Sequence, residues 1–203
     1  MSTLIRKLFH VVWLGPDPLP DQHAAFLEGW RTRHPGWEWR KWSEDNLPPL
    51  RLQRQFDAAR SWAAKADIVR YEVIATHGGV YLDTDMECLK NIEELLHGCR
   101  AFVCRSAPSG RVGNAIFGTT PDHPFMRRVI AAVPKRHDPR RPTVTGPRLL
   151  TELAAQTGDV RVFEQALFFP VPYEKRASLA ARRAEWLPDS YGVHWFEASW
   201  LKR

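Results

Sequence analysis

Residues 78–85 have the sequence Gly78-Gly79-Val80-Tyr81-Leu82-Asp83-Thr84-Asp85. The glycine pair breaks helices, and the three apolar residues after it are typical of a short buried strand. Asp83 and Asp85 follow that strand directly. Open α/β sheets bind their ligands at the carboxyl ends of their strands. The stretch therefore predicts a buried strand that ends at a functional site.

Asp83 and Asp85 are two residues apart, so their side chains can share one side of an extended chain or converge in a turn. Neighbouring carboxylates repel each other, and a divalent cation between them relieves that repulsion. Carboxylate oxygens favour hard ions, which predicts Mg²⁺ or Mn²⁺, with the diphosphate of a substrate completing the shell. The alternative is an ordinary surface loop, where this spacing is common by chance. The glycines and the apolar run favour the metal site.

The segment from Ser61 to Thr76 has the clearest helical pattern in the chain. Its apolar residues recur on one face, while Asp67 and Arg70 fall on the neighbouring face. One interpretation is an exposed i,i+3 ion pair worth roughly 0.2–0.5 kcal/mol. The other is a functional pair, because the helix leads directly into the strand that ends at Asp83. A functional role predicts that alanine at either position leaves the melting temperature nearly unchanged, because an exposed pair is worth little, while turnover falls by orders of magnitude.

The first forty residues predict a β-α-β opening, which is the start of an α/β sheet. Residues 8–14 indicate a buried strand, a helix is expected from Asp21, as its cap, to about Arg33, and residues 37–42 alternate as a strand does. Later segments predict a short helix, two strands and two further helices, at residues 91–96, 101–105, 115–118, 124–133 and from Pro147. No linker or repeat interrupts the chain, so one domain over residues 1–203 is expected.

Composition narrows the class of protein. The 203 residues are 44% hydrophobic and 26% charged, which is ordinary for a globular protein. No run approaches the roughly 18 apolar residues that span a membrane, and the amino terminus lacks the features of a signal peptide. A cytoplasmic location without a transmembrane segment is therefore expected. The 3 cysteines show no CxxC spacing, which argues against a zinc site or a disulfide framework.

The formal net charge is +6, and the densest basic run lies at residues 135–141. Positive charge near a cleft suits phosphate-bearing substrates and would allow contact with nucleic acid or anionic lipid. A solvated loop is the more common explanation for such a run. The sequence therefore gives only weak support for contact with nucleic acid.

Two blocks at the centre of the chain carry a family resemblance. Ala66-Asp67-Ile68-Val69-Arg70-Tyr71, followed by residues 78–85, closely resembles the sugar-binding "DXD" glycosyltransferases. These include yeast-type initiating α-1,6-mannosyltransferases, α-1,4-galactosyltransferases and bacterial capsule enzymes, and the large clostridial glucosylating toxins are more distantly similar. Further segments resemble the family in the same order along the chain, at residues 10–15, 37–42, 113–116, 145–147 and 194–200.

The resemblance implies a fold and a reaction. The fold is a GT-A-type α/β domain with a central mixed, mostly parallel sheet flanked by helices. The reaction is transfer of a sugar, with retention, from a nucleoside-diphosphate sugar donor in the presence of Mn²⁺ or Mg²⁺. The acceptor stays open among a glycan, a lipid-linked sugar, a protein side chain and modified DNA. Because no obvious second carboxylate offers a nucleophile, front-face attack guided by the leaving phosphate is the favoured mechanism.

The resemblance also implies which residues bind the donor. Trp13 would stack on the nucleotide base. Asp67 and Arg70 would hydrogen-bond the hydroxyls of the donor sugar. Asp83 would contact ribose or sugar, and Asn114 would face the sugar and the acceptor.

The metal and the diphosphate would be held by other residues. Asp85 would ligate the metal, with help from the first aspartate of the motif. His194 or Glu197 would complete the metal shell, and Ser199 and Trp200 would hold the diphosphate. These last residues belong to an aromatic-rich stretch, residues 191–200, which we call the closing segment. It would either close over the site as a lid or fill part of the core.

Two other classes of protein remain open at this point. A phosphatase of the haloacid dehalogenase type also places Asp-x-Asp after a strand, with the first aspartate as its nucleophile. Its motif opens the fold and continues with a small residue, whereas here the motif lies well inside the chain and continues with Met86-Glu87. A non-catalytic binder of sugar nucleotides is the second alternative, and the intact polar residues of the site argue against it.

Overall fold

A computed structural model describes residues 4–107, 109–136, 138, 145–171, 173 and 188–197. The strands in this part of the chain are β1 (Leu8–Val12), β2 (Glu38–Trp42), β3 (Gly79–Leu82), β4 (Met86–Cys88), β5 (Ala101–Arg105), β6 (Val112–Thr119), β7 (Arg161–Phe163) and β8 (Gly192–His194). The α-helices are α1 (Asp21–Arg33), α2 (Gln53–Ala58), α3 (Trp62–His77), α4 (Pro124–Arg136) and α5 (Pro147–Ala155).

One sheet contains six of these strands, in the order β2-β1-β3-β6-β5-β7. β1 is parallel to β2 and β3, and β5 is parallel to β7, whereas β6 is antiparallel to both β3 and β5. The β-α-β opening is therefore confirmed, and so is the mixed, mostly parallel character of the sheet. Residues of α3, α4 and α5 pack on one face of the sheet, and residues of α1 pack on the other.

The turn between α3 and β3 needs glycine at two positions. Gly78 and Gly79 have φ angles of 65° and 91°, in the region that favours glycine. A Cβ on Gly79 would lie 2.5 Å from the carbonyl oxygen of Leu8, and one on Gly78 would lie 2.6 Å from Cδ of Pro121. The glycine pair thus ends the helix and lets β3 enter the sheet directly beside β1.

The remaining two strands form a small antiparallel sheet next to α1. β4 pairs with β8 so that Met86 lies opposite His194 and Cys88 lies opposite Gly192. The indole Nε1 of Trp30, on α1, donates a hydrogen bond of 2.8 Å to the carbonyl of Met86. Part of the closing segment is therefore a strand that docks immediately after the Asp-Thr-Asp motif.

Two local expectations are corrected by the structure. Asp21 is the first residue of α1 and not its cap, because Pro20 holds the cap position and makes no side-chain cap bond. The helix expected at residues 91–96 is a single 3₁₀ turn, Glu93–Leu96. Within the described residues, none of the helices combines the length and apolar character required to cross a membrane. The single domain over residues 1–203 stays a prediction.

Candidate active site

Strand direction brings the predicted site residues to one edge of the sheet. Asp83 follows β3, and its backbone N–H donates to the carbonyl of Ala115 at 2.7 Å. Because β6 is antiparallel to β3, its first residues, including Asn114, reach the carboxyl end of β3. α3 leads into the amino end of β3, so Asp67 and Arg70 on its first turns lie near the opposite, carboxyl end.

Arg70 is the centre of a buried cluster of charges. Its Nη1 lies 3.0 Å from Oδ1 of Asp83, and its Nη2 lies 3.1 Å from Oδ1 of Asp67. Nη1 also donates to the carbonyl of Asn114 at 2.7 Å, and Nε donates to the carbonyl of Ala66 at 3.3 Å. Nδ2 of Asn114 in turn donates to Oδ1 of Asp67 at 2.8 Å. The guanidinium thus combines two hydrogen bonds to backbone carbonyls with two ion pairs to carboxylates.

The expectation that Asp67 and Arg70 form an exposed pair is wrong. Their side chains are only 13% and 7% exposed, because α3 packs against the sheet and against α2 and α4. Although burial opposes it, the carboxylates of Asp83 and Asp67 raise the pKa of Arg70 above its usual value. Removing one partner of a buried pair strands the other charge, so the structure predicts a loss of stability on alanine substitution in place of the neutrality expected for an exposed pair.

The surroundings of Asp67 disfavour the charged form of its carboxyl group. Burial raises its pKa from 3.8 to about 6, and the neighbouring carboxylate of Asp83 acts in the same direction. Arg70 and the hydrogen bond from Asn114 oppose this rise without cancelling it. Asp67 is therefore ionised at neutral pH and becomes protonated under mildly acidic conditions.

We expect Asp67→Asn to remove the loss of stability that the ionisation of Asp67 causes as the pH rises. The raised pKa means that the folded state keeps the proton of Asp67 to higher pH than the unfolded state does. As the pH rises from about 4 to about 6, the ionisation of Asp67 therefore lowers the free energy of unfolding of the wild type. Above about pH 6 the contribution of this group is constant. The variant lacks this pH dependence. The difference between the unfolding free energies of the two proteins should therefore change by about 1–3 kcal/mol between about pH 4 and pH 6. Urea unfolding at pH 4 to 8 measures the difference.

The control for that series is Asp57→Asn, the same chemical change on the exposed surface of α2. Its unfolding free energy should follow the wild type at every pH. Parallel curves for wild type and Asp67→Asn would contradict the raised pKa.

Asp83, Asp85 and His194 form the other half of the site. One possible ligand atom from each lies within 4.8 Å of the others. Nε2 of His194 is 3.1 Å from Oδ1 of Asp85 and 3.9 Å from Oδ2 of Asp83. The pairing of β8 with β4 sets this geometry, since it places His194 opposite Met86, the residue after Asp85.

This group of ligands fits a divalent cation such as Mn²⁺. Carboxylates suit Mg²⁺ and Mn²⁺, and an imidazole beside them favours a transition ion over Mg²⁺. Burial opposes ionisation of Asp85, but the charge and hydrogen bond of His194 lower its pKa to about 2. The same contact raises the pKa of His194 in spite of its burial. A bound cation would displace the proton on Nε2, because both use the same lone pair.

Trp13 lies at the same edge, directly after β1. Its backbone N–H donates to the carbonyl of Trp42 at 3.0 Å, and its Nε1 donates to the carbonyl of Asp17 at 2.8 Å. Its ring meets the imidazole of His23 edge-on, with 5.8 Å between the ring centroids. Its predicted stacking on a base stays a prediction.

The described part of the closing segment contacts the Asp-Thr-Asp motif directly. The backbone N–H of Glu197 donates to Oδ2 of Asp85 at 3.0 Å, whereas its carboxylate lies 3.3 Å from Nε2 of His23. Among the described residues, His194 and not Glu197 therefore joins the metal-binding group. Ser199 and Trp200 lie outside the described residues, and the roles predicted for all site residues stay predictions.

Sequence reasoning missed two contributors to the site. The hydroxyl of Tyr81 donates to Oδ1 of Asp83 at 2.6 Å, and the guanidinium of Arg70 lies 4.5 Å from the centre of its ring. Tyr81 and Asp83 are two residues apart along a strand, so their shared side could have been predicted. His23 contacts Thr84, and no motif in the sequence indicates it.

The chain is similar in sequence to known glycosyltransferases. Residues 20–101 match the family described as the glycosyltransferase sugar-binding region containing the DXD motif. Inositol phosphoceramide mannosyltransferase 3 of Schizosaccharomyces pombe is 29% identical over 140 residues, which cover 66% of this chain and 38% of that protein. The chain thus spans less than two fifths of the length of this relative. The family match confirms the predicted resemblance.

Several solved structures have folds similar to that of this chain. The PaToxG glycosyltransferase has a TM-score of 0.61 at 16% identity, covering 91% of this chain and 80% of that one. The catalytic domain of Clostridium novyi alpha-toxin has a TM-score of 0.56 at 10% identity, covering 77% and 64%. These similarities confirm the GT-A-type fold, and together with the family match they support a glycosyltransferase over a phosphatase.

Proposed function

Because residues 20–101 carry the sugar-binding, DXD-containing region of a glycosyltransferase family, we propose that this chain is a metal-dependent glycosyltransferase. It transfers a hexose from a nucleoside-diphosphate sugar to an acceptor. The observation that carries the proposal is the convergence of Asp83, Asp85 and His194 beside the buried cluster around Arg70. One half of the site offers ligands to a cation, and the other offers polar groups to a sugar.

The two halves have different tasks. Asp85 and His194 hold a divalent cation, preferably Mn²⁺, with Asp83 assisting. When bound, such a cation neutralises the charge that develops on a departing nucleoside diphosphate. Asp83 also pairs with Arg70 and accepts from Tyr81, so it is held in place at the boundary between the halves.

Asp67 and Asn114 are the groups best placed to orient the donor sugar. Oδ1 of Asp67 takes the contacts from both Arg70 and Asn114, which leaves Oδ2 to accept from a sugar hydroxyl. Arg70 pairs with two carboxylates and donates to two backbone carbonyls, so its main task is to fix Asp67 and Asp83. An oriented sugar supplies a large part of the rate enhancement in such a transfer.

Retention by front-face attack is the stereochemical course that we favour. A covalent intermediate needs a carboxylate that is free to attack the sugar. The three carboxylates of the site all have partners: Asp67 and Asp83 contact Arg70, and Asp85 contacts His194. The configuration of the released product, measured by NMR immediately after turnover, distinguishes retention from inversion.

The name of one relative and the net charge of the chain indicate which donors and acceptors to test first. The relative from S. pombe is named as a mannosyltransferase acting on inositol phosphoceramide, so mannose donors come first among those to test. The net charge of +6 suits a phosphate-bearing acceptor, and glycan, lipid-linked, protein and modified DNA acceptors all stay candidates. The cytoplasmic location is likewise a proposal from the sequence.

A panel of UDP- and GDP-sugars tests the proposed activity without an acceptor. We expect release of nucleoside diphosphate from one or a few donors in the presence of Mn²⁺, because water replaces a missing acceptor slowly. A chelator should abolish that release. Donor binding without any release, under conditions with and without candidate acceptors, would favour the non-catalytic binder. Neither binding nor release across the panel would contradict the proposed function.

A further inference from the structure

His23 lies at the junction of three parts of the candidate site. It is on the first turn of α1, and only 1% of it is exposed. Its Nδ1 is 2.9 Å from Oγ1 of Thr84, and its Nε2 is 3.3 Å from Oε2 of Glu197. Its ring also meets Trp13 edge-on. Neither the motif nor the family match gives this residue a role.

The hydrogen-bonding capacity of the groups sets the direction of these contacts. An ionised carboxylate only accepts, so Nε2 carries a hydrogen and donates to Glu197. In a neutral imidazole Nδ1 is then an acceptor, and the hydroxyl of Thr84 donates to it. Both ring nitrogens are thus committed, one to the Asp-Thr-Asp turn and one to the closing segment.

Together with two hydrogen bonds to Asp85, these contacts link the closing segment to the Asp-Thr-Asp turn. The backbone N–H of Glu197 donates to Oδ2 of Asp85, and that of Trp195 donates to its carbonyl at 3.1 Å. His23 adds a link between the side chains of Thr84 and Glu197. His194 directly precedes Trp195 in the chain, and its Nε2 lies 3.1 Å from Oδ1 of Asp85, so these links also set the position of its imidazole.

We propose that His23 is a positioning residue that fastens the closing segment to the Asp-Thr-Asp turn and so preorganises the cation site. The proposal rests on the proposed metal-dependent function. His23 touches neither cation nor donor in this role, and acts through Thr84 and Glu197. Outer contacts of this kind typically change metal affinity by about 10–100-fold when they are removed.

A second buried histidine, His34 at the C-cap of α1, separates positioning from simple core packing. His34 is also 1% exposed, and both of its ring nitrogens are bonded, to the carbonyl of Trp30 and the N–H of Ile92. It makes no contact with the Asp-Thr-Asp turn. His23→Gln and His34→Gln should therefore both lower stability, whereas only the first should alter the cation site.

The measurement is the affinity of the full chain for Mn²⁺ alone, from the EPR signal of the free ion. We expect His23→Gln to bind Mn²⁺ about 10–100-fold more weakly than wild type, and His34→Gln to bind it as wild type does. Glu197→Ala removes the same link from a side chain that is 30% exposed, so it tests the proposal even where His23→Gln fails to fold. It should weaken Mn²⁺ binding as well, and the double variant should be no weaker than the worse single one.

The outcomes distinguish this proposal from the function on which it rests. Wild-type affinity for Mn²⁺ in both His23→Gln and Glu197→Ala overturns the positioning role and leaves the proposed function intact. Equal weakening in His23→Gln and His34→Gln also overturns it, because general destabilisation then explains the effect. Absence of Mn²⁺ binding by the wild type overturns the metal-dependent function, and the role of His23 with it.

Discussion

Asp85→Asn is expected to lower donor turnover by at least about 10²-fold and to remove most of the affinity for Mn²⁺. Asparagine keeps the shape of the side chain and an oxygen that can accept from the backbone N–H of Glu197. It lacks the negative charge that pairs with His194 and would attract a cation. The variant should therefore fold with its closing segment docked while its cation site fails. Nucleoside diphosphate release and Mn²⁺ EPR titration measure the two effects separately.

Two controls accompany this experiment. Asp57→Asn makes the same chemical change on the exposed surface of α2 and should match the wild type in both measurements. A chelator should abolish turnover by the wild type, and added Mn²⁺ should restore it. Full turnover by Asp85→Asn in the presence of chelator would rule out the metal assignment.

The central part of the fold could be predicted because its determinants are local. A glycine pair, three apolar residues and two aspartates specify where α3 ends, where β3 lies and where the ligands are. The backbone of Gly79 passes so close to Leu8 that only glycine fits, so the sequence reports the packing of β3 on β1 directly. Resemblance then supplied the rest of the GT-A-type arrangement.

Burial of the Asp67–Arg70 pair could not be predicted, because it depends on residues far away in the chain. An i,i+3 pair looks the same in sequence whether its helix is at the surface or in the interior. Here α2 and α4 cover α3 from either side, and β6 brings Asn114 to the pair. The amphipathic pattern of α3 did not indicate this burial either. Buried residues occur around most of the helix, and they include the charged residue Glu72.

The closing segment shows the same limit. β4 and β8 are three-residue strands, too short for alternation to reveal either of them, and they pair across about half the chain. The resemblance nevertheless implied that His194 is a metal ligand, and the register of Met86 with His194 explains why this residue lies beside Asp85. His23 carried no signal at all, because a lone histidine in a helix is more often structural than functional.

Arg70→Ala is expected to lower the free energy of unfolding by about 3–5 kcal/mol, the usual result of removing one partner from a buried ion pair. The substitution leaves the carboxylates of Asp67 and Asp83, 13% and 24% exposed, close together without their cation. Against a typical total of about 5–15 kcal/mol, much of the stability is lost. Arg70→Lys keeps the charge without the planar fork, so its loss should be smaller. Thermal and urea unfolding measure both.

Arg127→Ala is the matched control, because Arg127 pairs with Asp122 at the surface, where the side chains are 56% and 68% exposed. Its loss should stay within about 0–1 kcal/mol. Adding Asp67→Asn to Arg70→Ala removes one of the two stranded charges and should recover part of the lost stability, a coupling that a distant pair would not show. If Arg70→Ala costs no more than Arg127→Ala, the pair is solvated in solution, and the buried cluster that orients the donor sugar in the proposed mechanism does not exist. If instead the loss is large and Asp67→Asn relieves it, the charge of Arg70 both stabilises the fold and fixes Asp67 for its task toward the sugar.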